Sequence, residues 1–105
     1  MSMSAINTIL TTEYFNDWYD NLTDAVAKDQ IDGRIYLAEE GNFGDCNSVG
    51  DGVSEMRIHY GPGYRLYYCQ RGRHVYFLLV GGTKKGQQGD IKHAKNIKRE
   101  LERGQ

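Results

Sequence analysis

The chain has 105 residues, 39% hydrophobic and 26% charged, with a single proline; that suits one domain over 1–105 and excludes the disordered and collagen-like classes. The longest apolar run, Val75 to Val80, is far short of the ~20 residues of a membrane span, and the start carries no basic region before a long apolar stretch, so a soluble cytoplasmic protein is expected. The net charge of −1 hides a split: residues 1–50 hold nine acids against Lys28 and Arg34, and residues 51–105 hold eleven bases against five acids, a polarity suited to presenting one face to a polyanion.

Ser4 to Leu10 reads as a first strand, carried by Ile6, Thr8, Ile9 and Leu10. Thr11 or Thr12 can cap a short helix whose Phe15, Trp18, Tyr19 and Leu22 recur at helical spacing. A second helix starts at Thr23 or Asp24, carries Val26, Ile31, Ile35 and Leu37 or Ala38, and runs to Glu40, with Gly41 ending it. Glycines 41, 44, 50 and 52 then mark a loop with a short strand near Cys46 to Val49.

From Val53 the period becomes two: Met56, Ile58 and Tyr60 alternate with Glu55, Arg57 and His59. Gly61-Pro62-Gly63 reverses the chain, and Tyr64, Leu66 and Tyr68 alternate with Arg65, Tyr67 and Cys69. A turn over Gln70 to Arg73 leads to a central strand, His74 to Val80, ended by Gly81-Gly82. After the polar loop TKKGQQG, Asp90 can cap a last helix with Ile91, Ala94, Ile97 or Lys98, and Leu101 on one side and Lys92, Lys95, Lys98, Arg99 and Arg103 on the rest. The expected fold class is α+β: two N-terminal helices and a C-terminal helix packed on a largely antiparallel sheet.

A symmetric reversal at the Gly-Pro-Gly turn sets His59 opposite Arg65, Arg57 opposite Tyr67 and Glu55 opposite Cys69, all on one face. Such a surface fits phosphodiester cleavage in RNA, which needs a base for the 2′-hydroxyl, fixed cations for the phosphorane and an acid for the leaving oxygen. Arg57 and Arg65 suit the cationic role, because a guanidinium binds two phosphate oxygens and stays charged. Tyr67 could stack a splayed base, and Lys84 and Lys85 stand just beyond the strand end. The two cysteines have no CxxC spacing, and His59, His74 and His93 are scattered, so neither a disulfide framework nor a metal site is expected, and no cofactor.

The strings VGDGVSEMRIHYGPGYRLYY and LLVGGTKKGQQGDIKHA resemble the RelE/ParE superfamily of bacterial toxins, most closely its HigB-like addiction module killer branch of phage-derived Gp49-like proteins. The resemblance runs from the Phe15-Trp18 helix to the last helix. It implies a RelE-like microbial RNase fold, a partner antitoxin from the adjacent gene, of helix-turn-helix type, and metal-independent cleavage of mRNA on the ribosome. Arg57, Arg65 and Lys84 match basic positions of the family pattern, and Lys85 and Lys92 extend the RNA-binding set. Asn47 and Thr83 depart from it, standing where relatives often carry Lys and Asp or Asn. His59 or Glu55 could serve as base and Lys84 or Tyr67 as proton donor. Two other readings of the same fold are a ParE-like poison of DNA gyrase without nuclease activity and a decayed toxin kept as an antitoxin-binding partner.

Overall fold

The structure, a computed structural model, describes residues 5–104. β1 (Thr8–Thr11) leads into α1 (Glu13–Asp20) and α2 (Ala25–Glu39); β2 (Cys46–Gly50), β3 (Val53–Ile58), β4 (Tyr64–Gly72) and β5 (Val75–Thr83) follow, and a 3-10 turn (Lys84–Gly86) opens α3 (Gln87–Arg103). This is the expected α+β class, with the strands in the order β1-β5-β4-β3-β2. The sheet is mixed: β1 runs parallel to β5, with Thr8 opposite Val75, and the other pairs are antiparallel. The parallel pair was not legible locally, because its two strands are separated by most of the chain and meet only once the hairpins are in place. Of the expected first strand, Ser4 lies outside the described residues and residues 5–7 are not strand: pairing starts at Thr8, after the Asn7 amide has donated to the Glu39 carbonyl at the end of α2.

Both N-terminal helices begin where the sequence offers a cap. Thr12 Oγ1 accepts from the Phe15 amide at 3.1 Å and donates to the Leu79 carbonyl at 2.6 Å, fixing α1 to the sheet. Asp24 Oδ1 accepts from the amides of Val26 and Ala27. Gly41, at φ +92°, closes α2, and the Asn42 amide reaches back to the Leu37 carbonyl at 2.8 Å.

Alternation along β3 and β4 divides the core in two. Met56, Ile58, Tyr64, Leu66, Tyr68 and Leu78 pack under α1 and α2 with Phe15, Ala27 and Ile31. Val53, Tyr67, Cys69, Leu79 and Val80 pack on the opposite face under Ala94 and Ile97 of α3. The hairpin register differs from the expected one by two residues: Arg57 faces Arg65, Glu55 faces Tyr67 and Val53 faces Cys69. The reversal centres on Gly61 (φ +57°), so β3 stops at Ile58 and His59 and Tyr60 belong to the turn. A slip of two keeps every residue on its expected face.

Gly81 and Gly82 lie inside β5 instead of ending it. A Cβ on Gly81 would stand 2.2 Å from the Trp18 ring, and one on Gly82 would stand 2.0 Å from Asp90 Oδ2, so the pair admits close packing on both faces. Asp90 is therefore not a helix cap. It sits in the first turn of α3 against the sheet, where burial pushes its carboxyl up from the usual carboxylate range. Among the described residues no helix is long and apolar enough to cross a membrane.

Candidate active site on the α3 face

Three neighbouring strands assemble the site: Asn47 on β2 lies opposite Glu55 on β3, Glu55 lies opposite Tyr67 on β4, and Arg57 lies opposite Arg65. Two arginines facing each other across strands repel unless an anion lies between them. Glu55 supplies it. Only 1% exposed, its Oε2 accepts from Arg57 Nε at 2.9 Å, and its Oε1 accepts from Gln87 Nε2 at 2.9 Å and lies 4.0 Å from Arg65 Nε. Because Gln87 is the first residue of α3, the same carboxylate ties the helix start to the sheet.

The outer end of Arg57 meets Asn47. With the Asn47 amide turned so that donors face acceptors, Oδ1 accepts from both terminal nitrogens of Arg57, at 2.6 and 3.1 Å. The Arg57 side chain keeps 33% of its surface exposed, so the fork can exchange the amide oxygen for a phosphate oxygen.

Arg65 does not project from the sheet as the alternation suggested. Its side chain is 7% exposed, because the Gly-Pro-Gly turn folds back and the Lys84 amide closes on the Gly63 carbonyl at 2.8 Å. Arg65 donates to the Gly63 and Tyr64 carbonyls, both at 3.3 Å, and its Nε is buried without a hydrogen bond. It charges the site from behind Arg57.

Two further expectations are corrected here. Tyr67 is fully buried beneath α3 and offers no ring face to a base; its hydroxyl finds no hydrogen-bond partner, and burial, reinforced by the charges of Glu55 and Asp90, pushes its ionisation far up. Glu55 is not placed to take a proton from a substrate, since both its oxygens are engaged and it is 1% exposed.

His59 is 71% exposed in the hairpin turn, with Nε2 2.7 Å from Asp45 Oδ2. Donation from Nε2 leaves Nδ1 as the basic nitrogen. The hydrogen bond from His59, helped by the charges of Arg57 and Arg34, holds the Asp45 carboxyl below its ordinary range. The Arg57 amide donates to the Asp45 carbonyl at 2.9 Å, so the His59–Asp45 pair flanks Arg57 along the strand.

Lys84 reaches the arginine end through Gly63: a Cβ there would touch Lys84 Cβ at 3.4 Å and an Arg65 terminal nitrogen at 3.6 Å. Lys84 and Lys85 line a recess of about 510 Å³ with Gly86, Gln87, Gln88 and Gly89. No side chain caps α3 there; the 3-10 turn leads straight into it, with the Gln87 amide donating to the Lys84 carbonyl. Lys92 is exposed on α3, apart from the cluster. Lys95 and Lys98 are partly neutralised by Asp51 at 3.6 Å and Glu102 at 2.6 Å. Among the described residues no group of three or more His, Cys, Asp or Glu gathers as a metal site.

Reading the sequence missed the roles of Asn47, Gln87 and Asp45. Asn47 was reachable through the Asp51-Gly52 pair, a two-residue hairpin signal that sets β2 against β3. Gln87 and Asp45 follow from the meeting of a helix end and a loop with the sheet, which leaves no local signal.

Fold and site together define a small α+β protein with a carboxylate-bridged arginine pair at the open end of its sheet. The chain belongs to the family described as phage-derived protein Gp49-like (DUF891), whose model matches residues 17–102. It is similar to an uncharacterised protein of Haemophilus influenzae, 44% identical over 93 residues that cover 89% of this chain and 94% of that one. No solved structure matches the chain.

Proposed function

We propose that this protein is the toxin of a type II toxin–antitoxin pair, a HigB-like member of the RelE/ParE superfamily that cleaves mRNA on the ribosome without a metal ion. The observation that carries the reading is the Arg57–Arg65 pair, set face to face on adjacent strands and locked by buried Glu55. Membership of the phage-derived Gp49-like family supports it, as does the resemblance of the hairpin and loop motifs to that superfamily.

In this reading the His59 imidazole, oriented by Asp45, takes the proton of the 2′-hydroxyl. The 2′-oxygen attacks the adjacent phosphorus, the bond to the 5′-oxygen breaks, and Lys84 returns a proton to that leaving oxygen. The products are a 2′,3′-cyclic phosphate and a 5′-hydroxyl. Arg57 leaves Asn47 and grips the non-bridging oxygens, where the phosphorane charge builds, while Arg65 adds a second positive charge behind it. Lys85 in the recess, and Lys92 further along α3, hold the flanking phosphates. The partner is a helix-turn-helix antitoxin from the adjacent gene, and the site of action is the cytoplasm, where ribosomes translate.

The test is induction of the chain in bacteria, with 5′ ends of mRNA mapped and DNA breaks assayed together. New 5′-hydroxyl ends within translated messages, lost in Arg57→Ala, are expected. Intact messages with gyrase-dependent DNA breaks would instead select the ParE-like reading, and neither effect would leave a decayed toxin.

A further inference from the structure

Helix α2 is apolar on two sides. Ala27, Ile31 and Ala38 are buried against the sheet. Val26, Gly33 and Leu37 recur at helical spacing on another side with Gln30 between them; Val26 is 50% exposed and Leu37 40%, and Tyr36 beside them is 61% exposed. Spacings of four, three and four residues make one straight stripe, the pattern of a helix–helix seam. Gly33 stands in its middle with nothing within 4 Å of a Cβ, so no neighbour in this fold requires a glycine there. A recess of about 450 Å³ opens at that point, lined by Asp29, Gln30, Gly33, Arg34 and Leu37. A glycine in mid-helix weakens the helix and is retained where another backbone or a large side chain comes close.

The surrounding charge identifies the occupant. Asp17, Asp20, Asp24, Asp29 and Asp32 are exposed on and around α1 and α2. Both bases of this half are engaged: Lys28 lies over the Tyr19 ring at 4.9 Å, and Arg34, at the edge of the recess, donates to the carbonyls of Arg57, Phe43 and Asp45. A second copy docking α2 against α2 would set acids against acids. A second copy offering its basic α3 would bring charge without an apolar seam, since no large hydrophobic residue of α3 is exposed.

We propose that the Val26-Gly33-Leu37 stripe of α2 is the docking seat for an amphipathic helix of a different protein, one that carries lysine or arginine beside its apolar seam and fills the Gly33 notch with a large side chain. The seat lies on the α2 side of the sheet and the arginine pair on the α3 side, so the docked helix leaves Arg57 uncovered. The proposal stands whether or not the chain cleaves RNA.

The probe is a synthetic amphipathic helix of about three heptads with a leucine seam and lysine flanks, and the control keeps the seam and carries glutamate flanks. Titrated into the full chain and followed by amide NMR, the lysine peptide is expected to move signals of residues 26–37, and salt should weaken its binding. Leu37→Glu and Gly33→Leu, both at exposed positions, should each weaken it at least about tenfold, a loss of roughly 1.4 kcal/mol. Four results would overturn the proposal: equal binding of the glutamate peptide, no movement of α2 signals, unchanged binding to both variants, or sedimentation as a dimer that Leu37→Glu dissociates.

Discussion

The two faces of the sheet use the same strands in opposite ways. Under α1 and α2 the inward residues are apolar and aromatic, with Phe43 stacked on Tyr68 at 5.0 Å and packed on Tyr76 at 4.8 Å, and the layer's exterior is acidic. Under α3 the apolar patch stops short, and Glu55, Arg57 and Arg65 occupy the remaining positions of the same strand pattern. Polar residues on alternate strand positions ordinarily face water; here a helix start and a folded-back turn cover part of them, converting a solvent face into a buried ionic one. A buried charge is costly unless paired, so the α3 face holds its charges by geometry, whereas the α2 face holds its core by apolar area.

The sharpest way to break the comparison is to remove the hub. Glu55→Ala leaves buried Arg65 without its counter-charge and Gln87 without its acceptor, and is expected to destabilise by about 3–5 kcal/mol in chemical denaturation. Met56→Ala, one residue along and on the other face, should cost a comparable ~2–5 kcal/mol through the cavity it leaves. Glu55→Gln, which keeps the shape and removes the charge, should retain most of that loss, whereas Met56→Leu, which keeps the apolar volume, should cost under about 1.5 kcal/mol. Full stability of Glu55→Gln would contradict the ionic account of the α3 face.

Two adjacent glycines give a smaller contrast. Gly81→Ala drives a Cβ into the Trp18 ring of packed α1 and should cost about 3 kcal/mol. Gly82→Ala meets the carboxyl end of Asp90, which can rotate away, so its melting temperature should fall clearly less. The opposite ranking would mean that α3 is the more rigid layer.

Smallest is Gly33→Ala. With nothing near a Cβ there, the exchange should stabilise the helix by about 0.5–1 kcal/mol, read as a higher melting temperature.

What the sequence made legible follows from the range of the signals. Thr12 and Asp24 were readable as caps because a cap acts within three residues. The facing of Met56 against Arg57 was readable because alternation is local. The pairing of Arg57 with Arg65 in place of Tyr67 depended on where the Gly-Pro-Gly turn closed, and with Gly61 and Gly63 both at positive φ several closures fit the same letters. The burial of Tyr67 and Arg65 was not legible, since it depends on where α3 and Lys84 land. Gly81-Gly82 misled because glycine serves both strand ends and close packing, and only Trp18 and Asp90 tell which. Of the candidate site, the arginines could be found and their carboxylate lock could not, because Asn47 and Gln87 meet Glu55 through strand register and helix position.

In the proposed reaction Arg57, held out by Glu55 and Asn47, makes the decisive contact to the phosphate that is cut. The most direct measurement of that contact is cleavage of mRNA by the purified chain on programmed ribosomes, comparing wild type with Arg57→Ala at equal folded concentration. Cyclic-phosphate ends are expected from the wild type, and about a hundredfold slower cleavage from Arg57→Ala, the usual loss when one transition-state charge contact is removed. Equal rates for the two proteins, or no cleavage by a folded wild-type chain, would contradict it.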